Sequence, residues 1–252
     1  MKMLSLLIVI PIIALCGCGS GHSNPSENPN YLSKWVKDYK SSVESNQYSE
    51  NSFIRNNQGN VKQGIPTWNL TDQRNSPRIG GASTLFSAKA KSNRNIFYDV
   101  NQLTYEDGTL AKQLLIHVSK ADTTVRAFEY NFLNVDSSSK VDSPSLNKAR
   151  QKWISLCNAH QVDSLVNQLY SENAIYFNHR PLVIGRKAFI QEYSYMADTN
   201  YALTLSPLHL EPINENQVVE IGQCSGTYKA KYVLVWHKDK DGTWRIIFDS
   251  NV

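Results

Sequence analysis

The stretch Thr227-Tyr-Lys-Ala-Lys-Tyr-Val-Leu-Val-Trp-His237, followed by Asp241-Gly242 and then Thr243-Trp-Arg-Ile-Ile-Phe-Asp249, decides the fold. Tyr228, Tyr232 and Trp236 fall on one face with Ala230 and Leu234, while Lys229, Lys231 and His237 fall on the other. That period of two marks a strand. Asp-Gly between two such runs reads as a tight hairpin turn, because glycine takes the positive φ the turn needs. Residues 217–225 and 201–210 read as two further strands, so the segment from Tyr201 onwards is an antiparallel meander. Val233 and Val235 interrupt the outer lysine face. They suggest either a homodimer through this sheet or a second covered face.

Before the meander the pattern is helical. Ser143-Pro144 reads as a helix start with serine as cap, and Leu146, Ala149, Trp153, Ile154 and Cys157 follow at helical spacing. Asp163 reads as the cap of a second helix carrying Leu165, Val166, Leu169 and Tyr170. A hairpin of Ile175–Asn178 and Leu182–Ile184 turns on His179-Arg-Pro181, and Gly185 precedes a third helix with Phe189, Ile190, Tyr193 and Met196 on one face. Helices followed by a meander give an α+β plan with helices packed on one sheet face. The serine-rich run 135–144 acts as a linker between this body, 145–252, and a first body, 31–134.

In the first body Leu32, Trp35, Val36, Tyr39 and Val43 mark an amphipathic helix. Residues 95–106, 110–119 and 123–133 read as a three-strand meander, so this is expected to be an α+β domain as well. Residues 55–94 show weak periodicity. Lys34-Trp35 matches Lys152-Trp153, Gly108-Thr109 matches Gly226-Thr227, and Tyr48-Ser-Glu-Asn51 matches Tyr170-Ser-Glu-Asn173, in the same order. Arg126 sits much as Arg245 does. These matches suggest a degenerate repeat of the second body. Against it, 65–94 lacks a clear third helix, and short matches arise by chance.

The N-terminus reads as an address. Lys2 precedes an apolar run from Met3 to Leu15, too short to span a bilayer, and Leu15-Cys-Gly-Cys18 follows. This run resembles a bacterial lipoprotein signal. The resemblance implies cleavage after Gly17, a diacylglyceryl thioether and palmitate-type acylation at Cys18, and anchoring in the cell envelope. In a Gram-negative cell, Gly19 would direct the chain to the outer membrane, facing the periplasm. Residues 18–30 are small and polar and read as a flexible tether.

The chain has 252 residues, 41% of them hydrophobic, enough for a buried core, which excludes wholesale disorder. Its 26 basic and 22 acidic residues are spread without a basic patch, which argues against a nucleic-acid partner. No phosphate loop, dinucleotide fingerprint, serine-hydrolase elbow or metal-ligand spacing is present, so neither cofactor nor metal is expected. Cys157 and Cys224 remain as thiols that read as buried small hydrophobes, although pairing is open at this stage.

The ordered set Leu169–Ala174, Ile184-Gly-Arg-Lys-Ala188, Glu220-x-Gly222, Gly226-x-Tyr228, Tyr232-x-x-x-Trp236 and Asp241-Gly-Thr-Trp-Arg-Ile-Ile-x-Asp249-x-Asn251 resembles the SnoaL-like, ketosteroid-isomerase-related branch of the nuclear transport factor 2-like superfamily. The resemblance implies a cone-shaped domain over 145–252, with helices wrapped on a curved sheet, a pocket at the open end and often a dimer through the sheet. An isomerase of that kind needs a carboxylate base and two oxyanion donors. By resemblance these positions fall at Asn178, near Trp153 and near Leu234, none of which can do the same work. Ketosteroid isomerisation is therefore not expected.

Other candidate catalytic groups are His179, Glu220 and Asp249. Each has a plain alternative: a solvated turn histidine, a charge on an open strand face, and a strand-end cap. Trp153, Tyr176, Asn178, Tyr193, Tyr228, Tyr232 and Trp236 are the candidate pocket lining, and the same aromatics would equally pack a core. Two readings follow. One is an envelope lipoprotein whose C-terminal domain binds a small apolar ligand or a protein without chemistry. The other is a lyase or isomerase acting on a small apolar carbonyl compound. A carboxylate within hydrogen-bond reach of a tyrosine inside a pocket would favour the second.

Overall fold

A computed structural model describes residues 31–41, 46–55, 60–64, 78–91, 95–120, 123–178 and 181–252. Cys18, the tether, His179 and residues 65–77 lie outside the described residues. The chain forms two lobes, each an α+β unit built on a six-stranded sheet. In the first lobe α1 (Tyr31–Lys40) precedes β1 (Phe53–Arg55), β2 (Val61–Gln63), β3 (Ile79–Lys89), β4 (Ile96–Tyr105), β5 (Leu110–Ser119) and β6 (Thr124–Phe132). The second lobe opens with α2 (Ser143–Asn158) and α3 (Val162–Leu169), followed by β7 (Tyr170–Phe177), β8 (Val183–Ile184) and α4 (Arg186–Glu192). A 3-10 turn (Ser194–Ala197) then leads to β9 (Leu203–Asn214), β10 (Gln217–Gly226), β11 (Ala230–Lys238) and β12 (Trp244–Ser250).

Both sheets have one strand order, β2-β1-β6-β5-β4-β3 and β8-β7-β12-β11-β10-β9. Each joins its first strand to its last in parallel and is otherwise antiparallel. The registers agree residue by residue. Asp99 lies opposite Leu115 and Leu115 opposite Glu129, as Glu220 lies opposite Leu234 and Leu234 opposite Asp249. A register shift at Ile116/His117 has its counterpart at Val235/Trp236, where an extra residue bends the strand. The two lobes share one plan, and the Lys-Trp and Tyr-Ser-Glu-Asn fragments fall at corresponding places in it, whereas Gly108 lies in the turn before β5 and Gly226 ends β10.

The period of two assigns the faces. Tyr232, Leu234 and Trp236 pack towards α2, α3 and α4, while Val233 and Val235 point the other way with Val219, Ile221 and Phe248. That second face is filled by Tyr98, Val100, Leu114, Ile116 and Phe128 of the first sheet. The two sheets pack face to face inside one chain. The surface that could have served a homodimer through the C-terminal sheet is thus covered by the chain's own first lobe.

Several local expectations need correction. Asp142 caps α2, its side chain accepting from the Ser145 amide, and Ser143 is the first helical residue. Gln161 precedes α3 without a side-chain cap, and Asp163 lies in the first turn. Part of the weakly periodic stretch 55–94 is an 11-residue strand, β3. By register, Arg126 corresponds to Ile246, not to Arg245. Cys157 and Cys224 are both free and buried.

Candidate functional site

The interior of each lobe holds one chain of hydrogen bonds in two versions. In the first lobe the Trp35 indole donates to the Tyr48 hydroxyl at 2.7 Å, and Tyr48 donates to Glu129 at 2.8 Å. In the second, Trp153 donates to Tyr170 at 3.0 Å, and Tyr170 donates to Asp249 at 2.7 Å. The carboxylates are corresponding residues, since Ile54 pairs with Glu129 as Tyr176 pairs with Asp249.

Their surroundings differ. Glu129 also accepts from the Arg126 guanidinium at 3.0 Å and from Asn131 at 2.7 Å, so its charge is matched and both oxygens are used. Arg126 lies over the Trp35 ring and donates to Gln113, filling the interior of the first lobe. In the second lobe the corresponding position holds Ile246, and Asp249 has no cation partner among the described residues. Its Oδ2 accepts from Tyr170 and Tyr193, each at 2.7 Å, while Oδ1 has no hydrogen-bond partner among the described residues. Burial raises the Asp249 carboxyl to about 6, although the two tyrosines pull it down. Burial and then the Asp249 charge hold both tyrosine hydroxyls well above their ordinary value, so they remain donors.

Asp249 borders a cavity of about 30 Å³ shared with Trp153, Tyr193, Cys224, Tyr232 and Leu234. That space takes a water or two, or the tip of a ligand. Tyr201, Tyr228 and Asn251 line this cavity and also an outer cleft of about 650 Å³, so they form the neck between the two. The cleft is within the usual size of a small-molecule site. Tyr176, Asn178, Glu192 and Tyr195 line it too. Tyr176 donates to Asn251 Oδ1 at 2.6 Å, which leaves the Asn251 Nδ2 amide without an acceptor among the described residues. Asp249 and Asn251, two apart on one chain segment, therefore present an acceptor and a donor to the same inner cavity.

Glu220 is placed elsewhere. It accepts from Arg150 Nε at 2.7 Å and Nη2 at 2.8 Å, from Tyr232 at 2.7 Å and from the Trp236 indole at 2.9 Å. Every lone pair is engaged and the side chain is fully buried, so it holds α2 to the sheet. Trp236 is used up in that clamp and lies apart from the cavity, whereas Trp153, Tyr193 and Tyr232 border it. The first lobe has Asp99 in the place of Glu220, bonded to Tyr31, to Ser87 at 2.6 Å and to His117 at 2.8 Å. Burial pushes the Asp99 carboxyl up, but His117 and the hydrogen bonds bring it below its ordinary value. Among the described residues no cluster of His, Cys, Asp and Glu is arranged to hold a metal.

Sequence reasoning named Asp249 and Asn251 together but missed Tyr170 as a partner and Lys91 as a cleft residue. The repeated Tyr-Ser-Glu-Asn fragment was the signal that could have found Tyr170.

No protein-family model matches the chain, and no curated protein matches it by sequence. Among solved structures it is similar to an NTF-2-like protein of unknown function from Shewanella oneidensis, at 12% identity and a TM-score of 0.38 over 44% of this chain and 98% of the other. A ketosteroid isomerase-like protein from Erwinia carotovora atroseptica gives 12% and 0.38 over 44% and 95%. A cystatin-like-fold domain of unknown function from Nostoc punctiforme gives 15% and 0.38 over 45% and 77%. These likenesses span under half of this chain and say nothing of what its site does.

Proposed function

We propose that the second lobe takes up a small, largely apolar carbonyl compound and that Asp249 exchanges a proton with it, as a lyase or isomerase would. The observation that carries this is the contrast between the lobes: the buried carboxylate is neutralised by Arg126 in one and, among the described residues, left without a cation beside a cavity in the other. Burying an unpaired carboxylate is costly, so a position that keeps one next to an opening is a functional candidate. Above about pH 6 Asp249 is ionised. Its free Oδ1 takes a proton from the carbon beside the carbonyl, and the electron pair moves towards the oxygen, which the Asn251 amide stabilises. Where a double bond is conjugated with the enolate, return of the proton at its far carbon isomerises the compound; where a β-substituent is present, the enolate pair forms a carbon–carbon double bond and expels that group, which takes the proton from Asp249, a lyase reaction.

The test is deuterium wash-in. The full chain in D₂O with a panel of small cyclic ketones and enones would be followed by proton NMR. Exchange catalysed by the native chain and abolished by Asp249→Asn is the expected result. The smallness of the inner cavity supports a second reading, a pocket that binds without chemistry. Binding of panel members with no exchange would select it.

The proposal includes the location. A lipobox resemblance at Leu15–Cys18 supports a chain tethered through Cys18 to a bacterial membrane, with the pocket facing the envelope. Cys18→Ser should move the chain from the membrane fraction to the soluble one, and an unchanged distribution would remove this part.

A further inference from the structure

The outer cleft of the second lobe is finished by the first. Lys91 follows β3 of the first lobe and lines the cleft beside Tyr176, Thr227 and Asn251. Its Nζ lies 4.4 Å from the centroid of the Tyr228 ring, and among the described residues it has no ion-pair partner. The connection is made by the backbone too, since the Lys231 amide donates to the Ala90 carbonyl at 3.0 Å and fixes the end of β3 at the cleft. Glu192 also lines the cleft, and it accepts from Asn178 at 3.3 Å.

We infer that Lys91 selects ligands that carry an anionic group, a carboxylate in the simplest case, at the end remote from Asp249. This deepens the proton-transfer reading and rests on it. A lysine over an aromatic ring is already oriented, so it can take up an anion with little further loss of side-chain freedom. The apolar body then lies against Tyr201 and Tyr228 in the neck, and the uncharged tip reaches the inner cavity. An anion at the inner end would meet Asp249 and be repelled, which gives the ligand a direction. Among the described residues that line the cleft, the cation comes from the first lobe.

The experiment compares two probes of one shape, 1-naphthylacetate and 1-naphthylacetamide, by titration calorimetry on the full chain with Lys91→Gln, Lys91→Arg and Tyr228→Ala. The acetate should bind about five- to tenfold tighter than the amide, the size of one charge-assisted contact. Lys91→Gln should erase that difference, and Lys91→Arg should restore most of it. Tyr228→Ala should weaken both. Equal binding of the two probes, both weakened by Tyr228→Ala, would overturn the anion preference while leaving the pocket in place. Binding of both probes unaffected by Tyr228→Ala would overturn the pocket reading and this inference together.

Discussion

Phe128 and Phe248 meet with ring centroids 4.5 Å apart, and each is the other's counterpart in its lobe. Phe128 lies opposite Ile116 and Phe248 opposite Val235, just before the matching register shifts. A second such pair, Phe86 and His209, stacks at 4.5 Å and 2°. Contact between corresponding residues is the mark of a two-fold axis. Here the axis is approximate and relates the two halves of one chain.

The covered sheet face predicts the oligomeric state. The full chain should run as a monomer by light scattering. Residues 143–252 alone would expose Val219, Ile221, Val233, Val235 and Phe248 and should dimerise or precipitate. A monodisperse monomer of the short form would refute the view that this face requires a cover.

Asp249 predicts a pH dependence of stability. Its carboxyl sits at about 6 in the folded chain, against 3.8 as its ordinary value. Between those values the folded state holds the proton more often than the unfolded state, so stability falls as pH rises through that window and levels off above it. The whole step is about 3 kcal/mol. Asp249→Asn removes it, so urea unfolding at pH 4 and pH 7 should show the variant gaining on the native chain by roughly that amount. Parallel pH profiles would show that Asp249 is not perturbed.

The same group sets the sign for activity. If Asp249 acts as the base, proton exchange should rise with pH through about 6 and then level off. A rate that falls through the same range would assign it the acid role instead.

Glu220 predicts a loss of stability without a role in chemistry. Glu220→Gln leaves Arg150 buried without its charge partner and should cost about 3–5 kcal/mol in urea unfolding. Such a variant, where still folded at low temperature, should keep its deuterium wash-in. Loss of exchange in a fully folded variant would move Glu220 into the site.

Gly222 predicts a steric effect on that clamp. A Cβ there would fall 2.2 Å from Tyr232 Cζ, so the ring must move off Glu220. Gly222→Ala should destabilise the chain by about 2–4 kcal/mol, from overpacking and one lost hydrogen bond. A melting temperature within a degree of native would show that the ring relocates freely.

Much of the fold could be read from residues close in sequence. The alternation of Tyr232, Leu234 and Trp236 with Val233 and Val235 gave β11 and its two faces, and the spacing of Leu146, Trp153 and Cys157 gave α2. The Lys-Trp and Tyr-Ser-Glu-Asn fragments hold the Trp–Tyr half of each hydrogen-bonded chain. Periodicity works over a turn or a strand and says which way a side chain points. It does not say what stands opposite. Glu220 reads equally as a pocket acid or as a charge on an open strand face, and Arg150, 70 residues earlier, closes on it. Asp249 looked like a strand cap until Ile246 proved to occupy the place that Arg126 holds in the other lobe. Lys91 lay in a featureless stretch and became part of a cleft only because the two sheets pack on each other. Local pattern sets the elements and their faces, because those depend on backbone geometry. Which charges meet, and which is left alone beside a cavity, depends on how distant segments are brought together, and only the folded chain decides that.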